Sequence, residues 1–153
     1  MYRTILLAYD GTREGRLALR EGAMLAKLFR SEVVLLAVVE PSFTAIAIDV
    51  GVAYVPDDQK AEYQKVLEEG SQRLTRLGLT HRTALETGDP ASCIAKAARD
   101  AQAELVVVGH HKTGRLARWL HEPLTASLIE MLDCSILSGK MEITDEVLYG
   151  QSA

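Results

Sequence analysis

Three loops of this sequence place acidic, hydroxyl-bearing or glycine residues directly after short apolar runs. They are residues 10–12 (Asp-Gly-Thr), residues 38–40 (Val-Val-Glu) and the loop that begins at Gly109. Each apolar run is typical of a strand that is buried on both faces. Ligands of open parallel sheets bind past the carboxyl ends of the strands. The sequence therefore predicts that the three loops share one binding site.

The third loop is basic, although the chain as a whole is acidic. Residues 110–121 include Lys112, Arg115 and Arg118 and no acid, whereas the formal net charge of the chain is −4. A helix is predicted to begin near Pro123, and positive charge beside a helix N-terminus favours a phosphate or another anion. A solvated basic surface explains the same pattern, and the residues alone leave both interpretations open.

Other chemistry is not predicted. His110 and His111 are adjacent, so their side chains point in opposite directions at a strand end and no metal site is expected. Asp10 has a structural alternative, since an aspartate in a turn also caps a helix or hydrogen-bonds the turn. The sequence contains no nucleophile elbow, no P-loop and no paired carboxylates at a diagnostic spacing, so no catalytic residue is assigned.

Length and composition fit one globular domain. The 153 residues are 48% hydrophobic, and no apolar run reaches the length of a membrane-spanning helix. The acidic net charge gives no overall basic field for nucleic acid. Cys93 and Cys134 lack the spacing of a metal or redox motif, which favours two largely buried thiols in a reducing compartment. We expect a cytoplasmic protein with no nucleic-acid partner and no membrane insertion.

Apolar runs alternate with amphipathic stretches, which predicts an α/β fold with an open parallel sheet and helices on both faces. Residues 42–54 are predicted to be a loop. His81–Glu86 is polar, which places it at an edge of the sheet. The predicted strands are Thr4–Tyr9, Val33–Val39, His81–Glu86, Leu105–Val108 and Cys134–Leu137.

Two helix faces and the C-terminus complete the prediction. The first helix is expected to bury a stripe of Leu17, Met24, Leu25 and Leu28, and the last to turn Met131 inward. Ser138-Gly139 is expected to end the last strand. The domain would then span residues 1–139, and residues 140–153 would be an extension that forms a strand, a short helix or a partner-binding arm.

The motifs, taken in order, resemble those of the universal stress protein family over nearly the whole chain. The resemblance implies a five-stranded parallel sheet of order 3-2-1-4-5 and a homodimer, commonly paired through the last strand. The matching segments are residues 5–12, 34–39, 88–94, 104–109 and 134–137.

Many members of that family bind ATP, and the resemblance implies where this chain would do so. It places Asp10 at the family aspartate, Val38 at a backbone contact and Gly109 at the first glycine of a G-x2-G-x9-G-[ST] loop. The full candidate nucleotide or anion site is Asp10, Gly11, Thr12, Val38, Gly109, His110, Lys112, Gly114, Arg115, Glu122 and Pro123.

The same loop departs from the family pattern at three positions. Lys112 replaces the second glycine and crowds the approach of backbone N–H groups to phosphates, although Gly114 offers flexibility nearby. Pro123 lacks both an N–H group and a hydroxyl. Glu122 adds a carboxylate, and two unit charges about 4 Å apart repel by about 1–4 kcal/mol, roughly ten- to a thousandfold in affinity. The sequence therefore assigns no cofactor, and any binding of ATP is expected to be weakened by Lys112, Glu122 and Pro123.

The sequence predicts a non-catalytic stress-response or regulatory module with a degraded ATP-binding loop. It would act through a homodimer and through contacts with another protein that the sequence does not identify. The alternative is a sensor of a nucleotide, ATP or AMP, or of another anion that uses the modified site. A slow phosphohydrolase is the third hypothesis.

Overall fold

The computed structural model describes residues 1–41, 57–110 and 124–150. The predicted loop at residues 42–54 lies outside them. The strands are β1 (Thr4–Ala8), β2 (Glu32–Val39), β3 (His81–Thr87), β4 (Leu105–Gly109) and β5 (Ser135–Gly139). The helices are α1 (Arg13–Phe29), α2 (Asp57–Arg76), α3 (Pro90–Ala101), α4 (Leu124–Met131) and α5 (Asp145–Tyr149).

The five strands form one parallel sheet in the order β3-β2-β1-β4-β5. This confirms the predicted fold class, the strand order and the edge position of β3. Among the described residues, no helix has the length and apolar character needed to cross a membrane.

The core consists of two apolar layers, one on each face of the sheet. Alternate strand residues supply the two layers, so that Ile5 and Leu7 face one side and Leu6 faces the other. Helices α1, α2 and α5 cover the first side, and α3 and α4 cover the second. Helices α2 and α3 contribute to these layers, since Leu67 and Leu74 of α2 and Ile94 and Ala98 of α3 are buried.

The predicted leucine stripe of α1 is wrong at Leu28, which is 72% exposed, whereas Met24 and Leu25 are half-buried and pack against the core. The fully buried face of the helix is built mainly from small residues. A Cβ atom on Gly22 would lie 2.3 Å from Cδ2 of Leu7, so α1 lies closer to the sheet than a row of leucines allows. The inward position predicted for Met131 is also wrong, because that side chain is 38% exposed.

The last strand extends further than predicted. Ser138 and Gly139 belong to β5, and Gly139 pairs with Gly109. Gly139 continues the strand because its missing side chain lets α1 pack against it, and a Cβ atom there would lie 2.6 Å from Cα of Ala18. Residues 140–150 then fold back on α1 and form a short helix, α5, with Ile143 and Leu148 buried in the core.

Gly139→Ala is expected to lower the free energy of unfolding by about 1–3 kcal/mol, because the added methyl group meets the α1 backbone. Urea unfolding measures the change. Ser135→Ala, at the exposed start of the same strand, is the control and should change stability by less than about 0.5 kcal/mol. Equal effects of the two substitutions would contradict a tight contact between Gly139 and α1.

Candidate functional site

The turn between β1 and α1 is held by hydrogen bonds among its own residues. Oδ1 of Asp10 accepts hydrogen bonds from the backbone N–H of Thr12 at 3.0 Å and from its hydroxyl at 2.6 Å. Oγ1 of Thr12 in turn accepts from the N–H of Gly15 at 3.1 Å and caps α1. Gly11 has a φ of +74°, which favours glycine. The structural role predicted for Asp10 is therefore confirmed.

The loop after β2 carries a partly buried carboxyl group. Val38 pairs with Glu86 of β3, and the backbone carbonyl of Glu40 accepts a hydrogen bond from Nε2 of Gln59 at 3.2 Å. Burial raises the pKa of the Glu40 carboxyl, and the negative charge of Asp89 raises it further. This end of the sheet thus disfavours additional negative charge.

Tyr63 extends the site onto α2, which the sequence did not predict. Its hydroxyl pKa is raised by burial and then by the charges of Glu40, Asp10 and Glu62. In the sequence Tyr63 forms part of an apolar helical stripe, so its position near the loops carries no local signal. Asp89 is not a predicted site residue either; its Oδ2 accepts a hydrogen bond from the N–H of Ser92 at 2.9 Å and caps α3.

The start of the third loop lies against α1. A Cβ atom on Gly109 would lie 3.0 Å from the carbonyl carbon of Glu14 and from the backbone nitrogen of Gly15. Gly109 is therefore next to the helix turn that Thr12 caps. Nδ1 of His110 lies 3.3 Å from Oγ of Ser138, which directs this histidine toward β5.

The structure brings part of the predicted site together. Strand β1 lies between β2 and β4, so Asp10, Gly11 and Thr12 stand between Val38 and Gly109 at the carboxyl ends of the strands. The remaining predicted residues lie outside the described part of the chain: Lys112, Gly114, Arg115, Glu122 and Pro123.

Redox and metal chemistry receive no support from the described residues. Cys93 and Cys134 are free and half-buried, and burial raises the pKa of both thiols, which keeps them protonated. Within residues 1–41, 57–110 and 124–150, no group of three or more histidine, cysteine, aspartate or glutamate side chains is placed to hold a metal ion.

Comparison with known proteins places this fold and this loop arrangement in one family. The model of the universal stress protein family matches residues 1–138. A universal stress protein of Synechocystis is 29% identical over 137 residues, which are 90% of this chain and 85% of that protein.

Solved structures share this fold. A crystal structure of a universal stress protein family member from Burkholderia pseudomallei is 26% identical, with a TM-score of 0.70 over 90% of this chain and 95% of that one. The universal stress protein from Archaeoglobus fulgidus in complex with dAMP has a TM-score of 0.69 and 18% identity, and the match covers 91% of this chain and 98% of that one. The chain belongs to the universal stress protein family.

Proposed function

We propose that this protein is a non-catalytic regulatory module of the stress response, with weakened ATP binding, that acts through a homodimer and through protein contacts. The observation that carries the proposal is the pair of acidic groups at the carboxyl ends of β2 and β3. Glu40 follows β2, and Asp89 follows β3 and caps α3. Burial raises the pKa of the Glu40 carboxyl, and the charge of Asp89 raises it further.

Such a site resists a triphosphate. A phosphate group about 4 Å from a carboxylate is repelled by about 1–4 kcal/mol, and the cations that could offset this repulsion are in the loop after Gly109. That loop also contains Lys112, Glu122 and Pro123 where the family pattern has two glycines and a serine or threonine. Both halves of the site therefore weaken ATP binding for separate reasons.

The described hydroxyl–imidazole pairs support a non-catalytic role. Ser71 Oγ lies 2.8 Å from Nε2 of His81, whose Nδ1 is 3.0 Å from the Leu79 carbonyl. A serine nucleophile needs a histidine that is oriented by a third group and lies beside a substrate site. His81 begins β3 and therefore lies at the opposite end of the strands from the candidate site. His110 joins the ends of β4 and β5 through Ser138, and among the described residues no third group orients it.

A second candidate function is a nucleotide sensor. The dAMP complex of the Archaeoglobus fulgidus relative supports it. Asp10, Val38 and Gly109, which match the family pattern, also lie together at the carboxyl ends of the strands. A monophosphate carries less charge than ATP, so the acidic groups near Glu40 oppose its binding less strongly.

The homodimer is proposed to form through β5. Within the described sheet β5 lies at the edge, where unpaired backbone groups favour pairing with another strand. Ile129 of α4 is 64% exposed beside this edge. It lines a depression of about 330 Å³ together with Thr125, Cys134, Ile136 and Ser138.

The domain boundary and the location are part of the same proposal. We place the family domain at residues 1–139 and treat residues 140–153 as an extension, which the end of the family match at residue 138 supports. The proposed location is the cytoplasm. Two free thiols, Cys93 and Cys134, support it because thiols persist in a reducing compartment.

Titration calorimetry with Mg-ATP tests the weakened site. The triple variant Lys112→Gly, Glu122→Gly and Pro123→Ser should bind ATP roughly ten- to a thousandfold more tightly than the wild type, because it removes the carboxylate and restores the N–H donor and the hydroxyl. Adding Asp10→Asn to the triple variant is the control and should reduce the gain. Saturable micromolar binding by the wild type, or nucleotide that copurifies with it, would favour the sensor instead.

The pH dependence of stability tests the effect of burial and of the nearby Asp89 charge on Glu40. Its pKa is higher in the folded than in the unfolded state, so the folded state loses stability as pH rises from the unfolded-state value of about 4.3 to the raised value. Glu40→Gln should therefore increase the free energy of unfolding at pH 7 and have little effect near pH 4. Glu130→Gln, at an exposed site on α4, should show no such pH dependence.

Sedimentation tests the dimer surface. Ile129→Glu should weaken the dimer at least roughly tenfold, because it places a charge in an apolar interface. Ile129→Val keeps the surface apolar and should leave the dimer unchanged. If Ile129→Glu sediments as the wild type does, the contact lies on another surface.

A further inference from the structure

Residues 140–150, here called the strap, lie along α1 and are held by a row of three cations. Arg13, Arg20 and Lys27 are seven residues apart, which places them along one side of the helix. Each holds a different part of the strap. The contacts are Arg13–Glu142 at 2.7 Å, Arg20–Asp145 at 2.5 Å and a hydrogen bond of 2.9 Å from Nζ of Lys27 to the Leu148 carbonyl.

Helix α1 also recognises the backbone of the strap. Nε of Arg20 donates a hydrogen bond to the carbonyl of Ile143 at 2.7 Å. Oε2 of the buried Glu21 accepts from the N–H groups of Lys140 at 3.1 Å and Met141 at 3.3 Å. The position of the strap on the helix is therefore fixed by directional contacts as well as by charge.

Two apolar side chains anchor the strap. Ile143 and Leu148 are buried in the core layer that includes Ala23 and Ala26 of α1. The small residues on the buried face of α1 leave room for these two anchors. The face of α1 thus has three cations on its surface and space for two apolar groups that are five residues apart in the strap.

The strap has the properties of an element that opens locally. Its helix α5 has five residues, which is too short to persist without packing. Arg13 and Glu142 are both largely exposed, so water and salt weaken their attraction. The strap also exposes the apolar side chains of Met141, Val147 and Tyr149. A segment with few buried anchors opens at low cost compared with the core.

We propose that this face of α1 is a docking groove for an acidic segment with two apolar anchors. The chain's own strap fills the groove in the closed form, and the strap of a second copy enters it when the resident strap opens. The strap has one lysine and three acids, a net charge of −2, opposite to the three cations of the groove. A second copy brings the same sequence and so the same contacts, and exchange of an identical element is a low-cost route to association.

The docking groove rests on the proposed function only in requiring that two copies meet. It is a surface separate from the β5 edge, since α1 and the strap pack on the opposite side of the sheet from α4. Sedimentation of Ile129→Glu reports on the β5 edge, and peptide binding reports on the groove, so the two ideas fail independently.

Fluorescence anisotropy with a labelled synthetic peptide of residues 140–150 tests the groove in the full-length protein. Asp145→Arg repels Arg20 and opens the resident strap. The peptide should then bind at least tenfold more tightly than to the wild type, because apparent affinity falls in proportion to the fraction of open molecules. Glu146→Arg is the matched control, since Glu146 forms no ion pair with α1 among the described residues. The peptide should bind to this variant with the same affinity as to the wild type.

A second opened variant guards against incomplete opening. Leu148→Asp removes an anchor and should also gain peptide binding, while Arg20→Asp added to either opened variant should abolish the gain. The proposal is overturned if both opened variants are folded by circular dichroism and neither binds the peptide more tightly than the wild type. It is also overturned if Glu146→Arg increases the affinity for the peptide as much as Asp145→Arg does.

Discussion

The close contact between α1 and the ends of β4 and β5 is the constraint on which the rest of this structure depends. Added Cβ atoms on Gly109 or Gly139 would meet the backbone of α1, and one on Gly22 would meet Leu7. Because backbone packs on backbone here, α1 has little freedom to shift relative to the sheet. The first turn of α1 and the start of the loop after Gly109 are therefore fixed side by side, and this pair forms the centre of the candidate site.

Two described acidic groups of the site lie on one side of this contact. On the side of β2 and β3 stand Glu40 and Asp89, and burial together with the charge of Asp89 raises the pKa of the Glu40 carboxyl. The cations belong to the sequence after Gly109. A phosphate group placed near these two carboxylates would be repelled by their negative charge.

The small residues that bring α1 close to the sheet also explain the C-terminal strap. A helix with leucines on its buried face would fill the space beside the sheet, whereas the face of α1 leaves that space to Ile143 and Leu148. The cations Arg13, Arg20 and Lys27 then serve the strap and are not part of the ligand site. The small residues on the buried face of α1 thus determine both the position of the site and the surface where we place the docking groove.

The sequence by itself determined the fold class and the edge position of β3, because these features depend on local patterns, namely apolar runs and a polar strand. It predicted the strand order through the family resemblance. Tertiary structure alone decided the buried face of α1, the extension of β5 through Gly139 and the position of Tyr63 near Glu40. Each of these depends on how closely two elements approach, and that distance is set by packing between residues far apart in the chain.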